Sequence, residues 1–257
     1  MYGVIKTNGR RISTFEEWPK PKRRDQWKDE RSAKESAKAW LASVPSIPSE
    51  IIETLSSHHD FGPLSDWCAE PEARVPFDRF RGEPANLDVL LVGQDQNGHI
   101  VVAVEAKADE PFSQTVRETL SSARSRLKNN PASKGVARIE QLLNALFGAT
   151  TTQTDILDLR YQLMTATAAV MAEAQRLSIQ RAVVMIHEFI TSATSDTKRA
   201  SNARDLNQFV ARVSGRHDPL TSGMLQGPFN VPGAPIVEAE ISLYFGKAVI
   251  DKRGIEQ

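Results

Sequence analysis

The chain has no excess of charge of either sign. Its 32 Lys and Arg balance 32 Asp and Glu, so no global positive field draws it onto nucleic acid, and any such binding falls to local patches. Its one cysteine, Cys68, excludes an intramolecular disulfide and a four-cysteine zinc site, and reads as an ordinary thiol in a reducing compartment. No apolar leader opens the sequence, and no run of about 18 apolar residues could span a bilayer, so cytoplasmic residence is the expectation. P-loop, dinucleotide-binding, HExxH and GxSxG patterns are also missing, which removes the enzyme classes they mark. What remains is the composition of a soluble globular protein, 40% hydrophobic and 25% charged over 257 residues, enough for a substantial core.

Residues 86–111 carry the chemistry. They read NLDVLLVGQDQNGHIVVAVEAKADEP, two β-rich runs around a turn that ends in Asn97-Gly98, which predicts a β-hairpin. Pairing Val92 with Val101 sets Asp88 opposite Glu105, and alternation along the strand puts Lys107 on the same face. Opposed residues have Cβ atoms about 4.5–5.5 Å apart, and two carboxylates held that way repel unless a cation joins them. Magnesium accepts one or two carboxylates and keeps open positions for water and phosphate oxygens. Such an ion activates water and stabilises a phosphoryl oxygen, and Lys107 could orient or deprotonate that water or neutralise the phosphate. The alternative is a solvent-facing ion cluster on an edge hairpin. Both faces of the hairpin are apolar, as in a sheet covered on both sides, and charges at its end then need a partner or a metal.

Asp88, sixteen residues, then Glu105-Ala106-Lys107 on a following hydrophobic strand resembles the signature of the PD-(D/E)xK nuclease superfamily. Leu87 stands where the nominal motif has proline, with Pro84 four residues ahead of Asp88. The resemblance implies an α/β, restriction-endonuclease-like fold, a central mixed sheet flanked by helices. It also implies phosphodiester hydrolysis of nucleic acid, DNA first, with magnesium or manganese on Asp88 and Glu105. A helix ahead of the hairpin would donate a further acidic ligand, for which Glu53 is the candidate and Glu50, Glu70 and Glu72 compete. Gln162, on a helix after the ExK strand, would lie near the metal and hold a phosphate or water through its amide. A catalytically silent binding or assembly module of the same fold is the alternative, and a homodimer or a targeting partner fits either.

Along the chain, residues 1–30 read as a polar arm. Seven Lys or Arg up to Arg24 face only Glu16 and Glu17, while Trp18 and Trp27 suggest docking. Residues 31–257 read as one domain, opening with an N-terminal helical extension over 31–44 and 48–57. His58, His59 and Asp60 lack the spacing that aims ligands at one ion and are expected in a loop. An irregular stretch is expected over 61–82. Helices follow over 113–128, capped by Asp109, Glu110 or Ser113, then over 135–147 and 155–177. The apolar run 181–190 reads as a strand buried on both faces, completing a βαβ crossover. A helix over 198–217 carries Arg199, Arg204, Arg212 and Arg216 as a possible phosphate-facing patch. Two short strands over 237–245 and 247–250, joined at Gly246, close the chain.

Overall fold

A computed structural model describes residues 2–21, 26–80 and 82–254. The predicted hairpin is its centre. Strands β4 (Ala85–Asp95) and β5 (Gly98–Lys107) pair antiparallel with Val92 opposite Val101, the register that the turn chemistry implied. With six further strands they form one eight-stranded mixed sheet in the order β2-β1-β3-β4-β5-β6-β8-β7. The outer members are β1 (Tyr2–Thr7), β2 (Arg10–Ile12), β3 (Asp66–Val75), β6 (Arg181–Ile190), β7 (Leu225–Phe229) and β8 (Ser242–Asp251). Strands β5, β6 and β8 run parallel, and the chain between β5 and β6 is the expected helical crossover.

Helices cover both faces, so the architecture is α/β. Helices α3 (Val116–Asn129), α4 (Gly135–Phe147), α5 (Tyr161–Arg176) and α6 (Asp196–Ser214) pack on one side, around Leu90, Val101, Ala103, Val184 and Phe245. Helices α1 (Ser32–Ser43) and α2 (Ser49–Ser56) pack on the other, with Trp40, Ile51 and Leu55 against Val89, Val102, Val104 and Met185. The two N-terminal helices therefore cover a face of the sheet instead of extending from the domain. Residues 2–12 are likewise no arm, because β1 pairs in parallel with β3 and buries Ile5 in that same cluster. Trp18 is buried as expected and Trp27 stacks on Phe15, while Lys22, Arg23 and Arg24 lie outside the described residues.

Four further differences from the sequence reading have physical causes. The stretch expected to be irregular contains β3, whose in-and-out alternation of burial runs through Pro71. Pairing with β1 stops at Ala69, so Pro71 sits where that side of β3 is an edge and its missing N–H costs no ladder bond. Helix α3 starts later than expected, at a capping box in which the Thr115 side chain and Glu118 satisfy each other's backbone N–H. The long helix expected over 155–177 is divided into a short 3-10 turn, Asp155–Asp158, and α5. Val116 N–H donates to the Leu159 carbonyl and Tyr161 N–H to that of Gln114, which pins the chain extended at Arg160. Finally, β8 runs straight through Gly246 as one strand, Ser242–Asp251, and pairs with β7, a strand not expected from the sequence.

Gly246 has a packing role and no turning role. A Cβ there would lie 2.9 Å from Leu225 Cδ1 and from Met185 Cε. Replacing it by valine should lower stability by about 1–3 kcal/mol through overpacking, read as a lower urea midpoint at unchanged m-value. An unchanged midpoint would contradict this packing.

Candidate active site

The β4–β5 ladder ends at Val89 and Val104, one residue short of Asp88 and Glu105. There the strands part, and the Asp88 carboxylate accepts the Ala106 N–H at 2.7 Å. Glu105 and Lys107 follow on the same face of β5, almost fully buried, with Lys107 Nζ 3.8 Å from Glu105 Oε2. The lysine also donates to the Ala106 carbonyl at 3.1 Å and lies 5.1 Å from the centre of the Phe112 ring. From the first turn of α5, Gln162 Nε2 donates to Glu105 Oε2 at 2.5 Å. The helix break at Arg160 makes this possible by setting Gln162 at a helix start that faces the sheet.

A third carboxylate joins from β3. That strand pairs with β4 so that Pro71 meets Val89 and Ala73 meets Leu87, which leaves Glu72 level with Asp88. Glu72 has a φ of +51°, in the left-handed region that costs a non-glycine residue of order 1–3 kcal/mol. At this level the strands change face together: Ala69 and Val89 belong to the core under α1 and α2, Ala73 and Leu87 to the core under α3–α6. Glu72, Asp88 and Glu105 thus stand in one row across three neighbouring strands. Asn86 Nδ2 steadies Glu72 at 2.8 Å.

Burial and mutual repulsion make this row hard to ionise. Burial first, then the Asp88 and Glu72 charges, push Glu105 up to about 8, against the opposing pull of Lys107 and Gln162. Burial and Asp88 push Glu72 up to about 7, with Asn86 opposing. Asp88 is raised by burial and by Glu110, although Lys107 and the Ala106 amide stabilise its charged form. Glu105 Oε1 is buried with no hydrogen-bond partner, and an orphaned carboxylate oxygen of this kind normally has one. The donors are hard oxygens, the ligand type of magnesium or manganese, so the residues present fit such an ion.

The structure therefore brings together Asp88, Glu105, Lys107 and Gln162, as the sequence reading expected. It does not bring Glu53. Helix α2 packs on the opposite face of the sheet and Glu53 is exposed on it, while Glu50 of the same helix pairs with buried His187 at 2.6 Å. Glu72, a competitor to Glu53 in the sequence, is the carboxylate that stands beside Asp88, and what places it there is the β3–β4 register, which Pro71 obscures in the sequence. A family profile described as "Domain of unknown function (DUF6946)" matches residues 11–252. The chain belongs to the DUF6946 family. No curated protein and no solved structure matches it.

The DUF6946 chain gathers ligand-type side chains at a second place. One such atom from each of His58, His59 and Asp60 lies within 4.8 Å of the others, brought together by a tight turn instead of by helical or strand spacing. These atoms have protein partners. His58 Nε2 is 3.2 Å from the Gly227 carbonyl oxygen, His58 Nδ1 accepts the Asp60 N–H at 3.3 Å, and Asp60 Oδ2 accepts from Tyr244 Oη at 2.6 Å. No helix among the described residues is long and apolar enough to cross a membrane. Two of the four arginines expected as a basic face are ion-paired, Arg199 with Glu188 at 3.7 Å and Arg212 with Asp155 at 3.5 Å, while Arg216 falls beyond the end of α6.

The raised carboxyls dictate a pH dependence. In this DUF6946 domain Glu105 and Glu72 keep protons that the unfolded chain has already lost, so stability falls as pH rises from the ordinary 4.5 through about 7 and about 8. His187, whose pKa burial lowers from 6.5, acts in the opposite sense and only as pH falls, which makes the range above it the cleaner one. In EDTA the stability, followed as the melting temperature, should fall as pH rises above about 6.5 and level off above about pH 8.5, at up to roughly 1.4 kcal/mol per pH unit for each proton that the folded state holds and the unfolded chain has lost. Glu105→Gln should flatten most of that slope. A wild-type melting temperature independent of pH over this range would contradict the raised carboxyls.

Proposed function

We propose that this DUF6946 domain is a divalent-metal-dependent phosphodiesterase acting on nucleic acid. The fold would be the restriction-endonuclease-like form of its α/β sheet. DNA is the polymer that the resemblance of Asp88, Glu105 and Lys107 to the PD-(D/E)xK pattern points to. One observation carries the reading: the buried, unpartnered Oε1 of Glu105, set in a row of carboxylates that each resist ionisation. Leaving a buried carboxylate oxygen without a partner costs stability, and a cation held there would remove that cost.

Asp88 and Glu105 would hold magnesium or manganese, with Glu72 as a third oxygen donor. Bound there, the ion supplies charge stabilisation at a phosphoryl oxygen and a more acidic water. The chain's own groups do the positioning. Gln162 fixes Glu105 Oε2 and leaves Oε1 for a ligand, and the Ala106 N–H fixes Asp88 Oδ2. Lys107 Nζ, anchored on the Ala106 carbonyl beside Glu105, is within reach of the same site to donate to a phosphate oxygen or orient the attacking water. Hydrolysis forms one phosphorus–oxygen bond to that water and breaks the ester bond, with the departing oxygen taking up a proton.

Purified protein incubated with plasmid and with single-stranded DNA in magnesium or manganese should cut. Asp88→Asn, Glu105→Gln and Lys107→Ala should each slow cutting by about two orders of magnitude or more, the scale of losing one charge-stabilising group. Either metal should also raise the wild-type melting temperature, by about 2.7 kcal/mol of stability at a hundredfold excess over Kd, and leave Glu105→Gln unmoved. Glu72→Gln should weaken this metal response. A wild type that neither cuts nor is stabilised by either metal overturns the proposal in favour of a silent binding module.

A further inference from the structure

Arg79, Phe80 and Gly82, ahead of β4, and the turn between α3 and α4 line an open cavity of about 700 Å³. Arg79, Arg126, Lys134 and Arg138 line it together with Phe80, and among the described residues no Asp or Glu does. Asp78 pairs with Arg138 Nε at 2.6 Å and offsets one of the four charges. Helix α4 begins at the cavity wall with Gly135. Its N-cap, Lys134, offers no side-chain acceptor and its first turn holds no acid, so the positive end of the helix dipole is left uncompensated. In a chain whose net charge is zero, this is a strong local concentration of positive charge.

The cavity lies beyond the end of the β3–β4 pair whose strands carry Glu72 and Asp88. The Tyr161 phenol, raised by burial and by Asp78, is pulled back by the Arg138 and Arg126 charges, so it lies near the cationic wall. The next residue, Gln162, holds Glu105. The hairpin that carries Glu72 and Asp88 also runs out to Arg79 and Phe80, with Asp88 and cavity-lining Gly82 six residues and at most about 20 Å of extended chain apart. A volume of this size suits a nucleotide-sized group, and cations with one accessible aromatic ring match an unstacked base and its phosphates.

We infer that this cavity binds the phosphate backbone of a single nucleic-acid strand, with Phe80 as the platform for one base, and leads that strand to the carboxylate row. The choice of nucleic acid rests on the phosphodiesterase reading, whereas the preference for phosphate rests on the cavity alone.

The test is fluorescence anisotropy with a labelled oligothymidylate in EDTA, where no metal-dependent cutting occurs, at several salt concentrations. Arg126 and Lys134 are exposed, so Arg126→Ala/Lys134→Ala should fold normally, which a melting curve checks. Relative to wild type this variant should bind the strand at least tenfold more weakly and lower the slope of log K against log salt by about 1.4, from about 0.7 per lost phosphate contact. Phe80→Ala should weaken binding about fivefold or more, and unlabelled adenosine monophosphate should compete only weakly because it spans one phosphate. Wild type that fails to bind the strand, or a double variant with unchanged affinity and slope, overturns the inference. Strand binding lost in the double variant, alongside a wild type that never cuts, upholds the cavity while removing the phosphodiesterase.

Discussion

The site depends on the point at which β4 and β5 come apart. Had the ladder continued one residue further, Asp88 and Glu105 would face each other as a repelling pair on a dry sheet. Instead the Asp88 carboxylate takes over the Ala106 amide, Lys107 settles on the carbonyl of the same residue, and the strands separate without leaving that amide unsatisfied. Glu72 supports this arrangement from the other side. Its left-handed backbone is held by regular pairs before and after it, so the strain stays where three strands bring their carboxylates level.

Strand β4 carries two aspartates, and their contrast is instructive. Near the turn, burial raises Asp95, but a two-point bond to Arg181 and the N–H groups of Gly62 and Asn97 outweigh it and hold the pKa low. This is how the fold treats a carboxylate that ties elements together. At the far end of the strand Asp88 receives one amide and a shared lysine, and its pKa goes up. One end of the hairpin is electrostatically closed and the other is short of positive charge. The deficit lies on central strands clamped between two helical layers, a rigid support for groups that must keep their geometry.

Much of this was readable in the sequence because local and long-range signals agreed. The Asn97-Gly98 turn and the alternation around it fixed the β4–β5 register, the apolar run of β6 could only be a buried strand, and α4 was bounded by a glycine at either end. The reading failed where a tertiary contact overrode a local cue. Pro71 argues against a strand, yet is tolerated where β1 has stopped pairing. Gly246 suggests a turn, yet serves the close packing of Leu225 and Met185. The apolar stripe of 155–177 continues across Arg160, yet backbone bonds to Gln114 and Val116 divide the helix there. Two of these failures touched the site: losing β3 left Glu72 as one competitor behind Glu53, and fusing α5 with the preceding turn obscured why Gln162 can reach Glu105.

The two outermost strands have a consequence of their own. On one side the sheet ends in β2, three residues long with Arg10 and Arg11 exposed; on the other it ends in β7, five residues long, irregular in register and containing Pro228. Short, charged, proline-bearing margins are poor templates for another chain's backbone. A broad eight-stranded sheet would otherwise be prone to stacking edge to edge into aggregates, and here that route is blunted at both rims by the same residues that end the sheet.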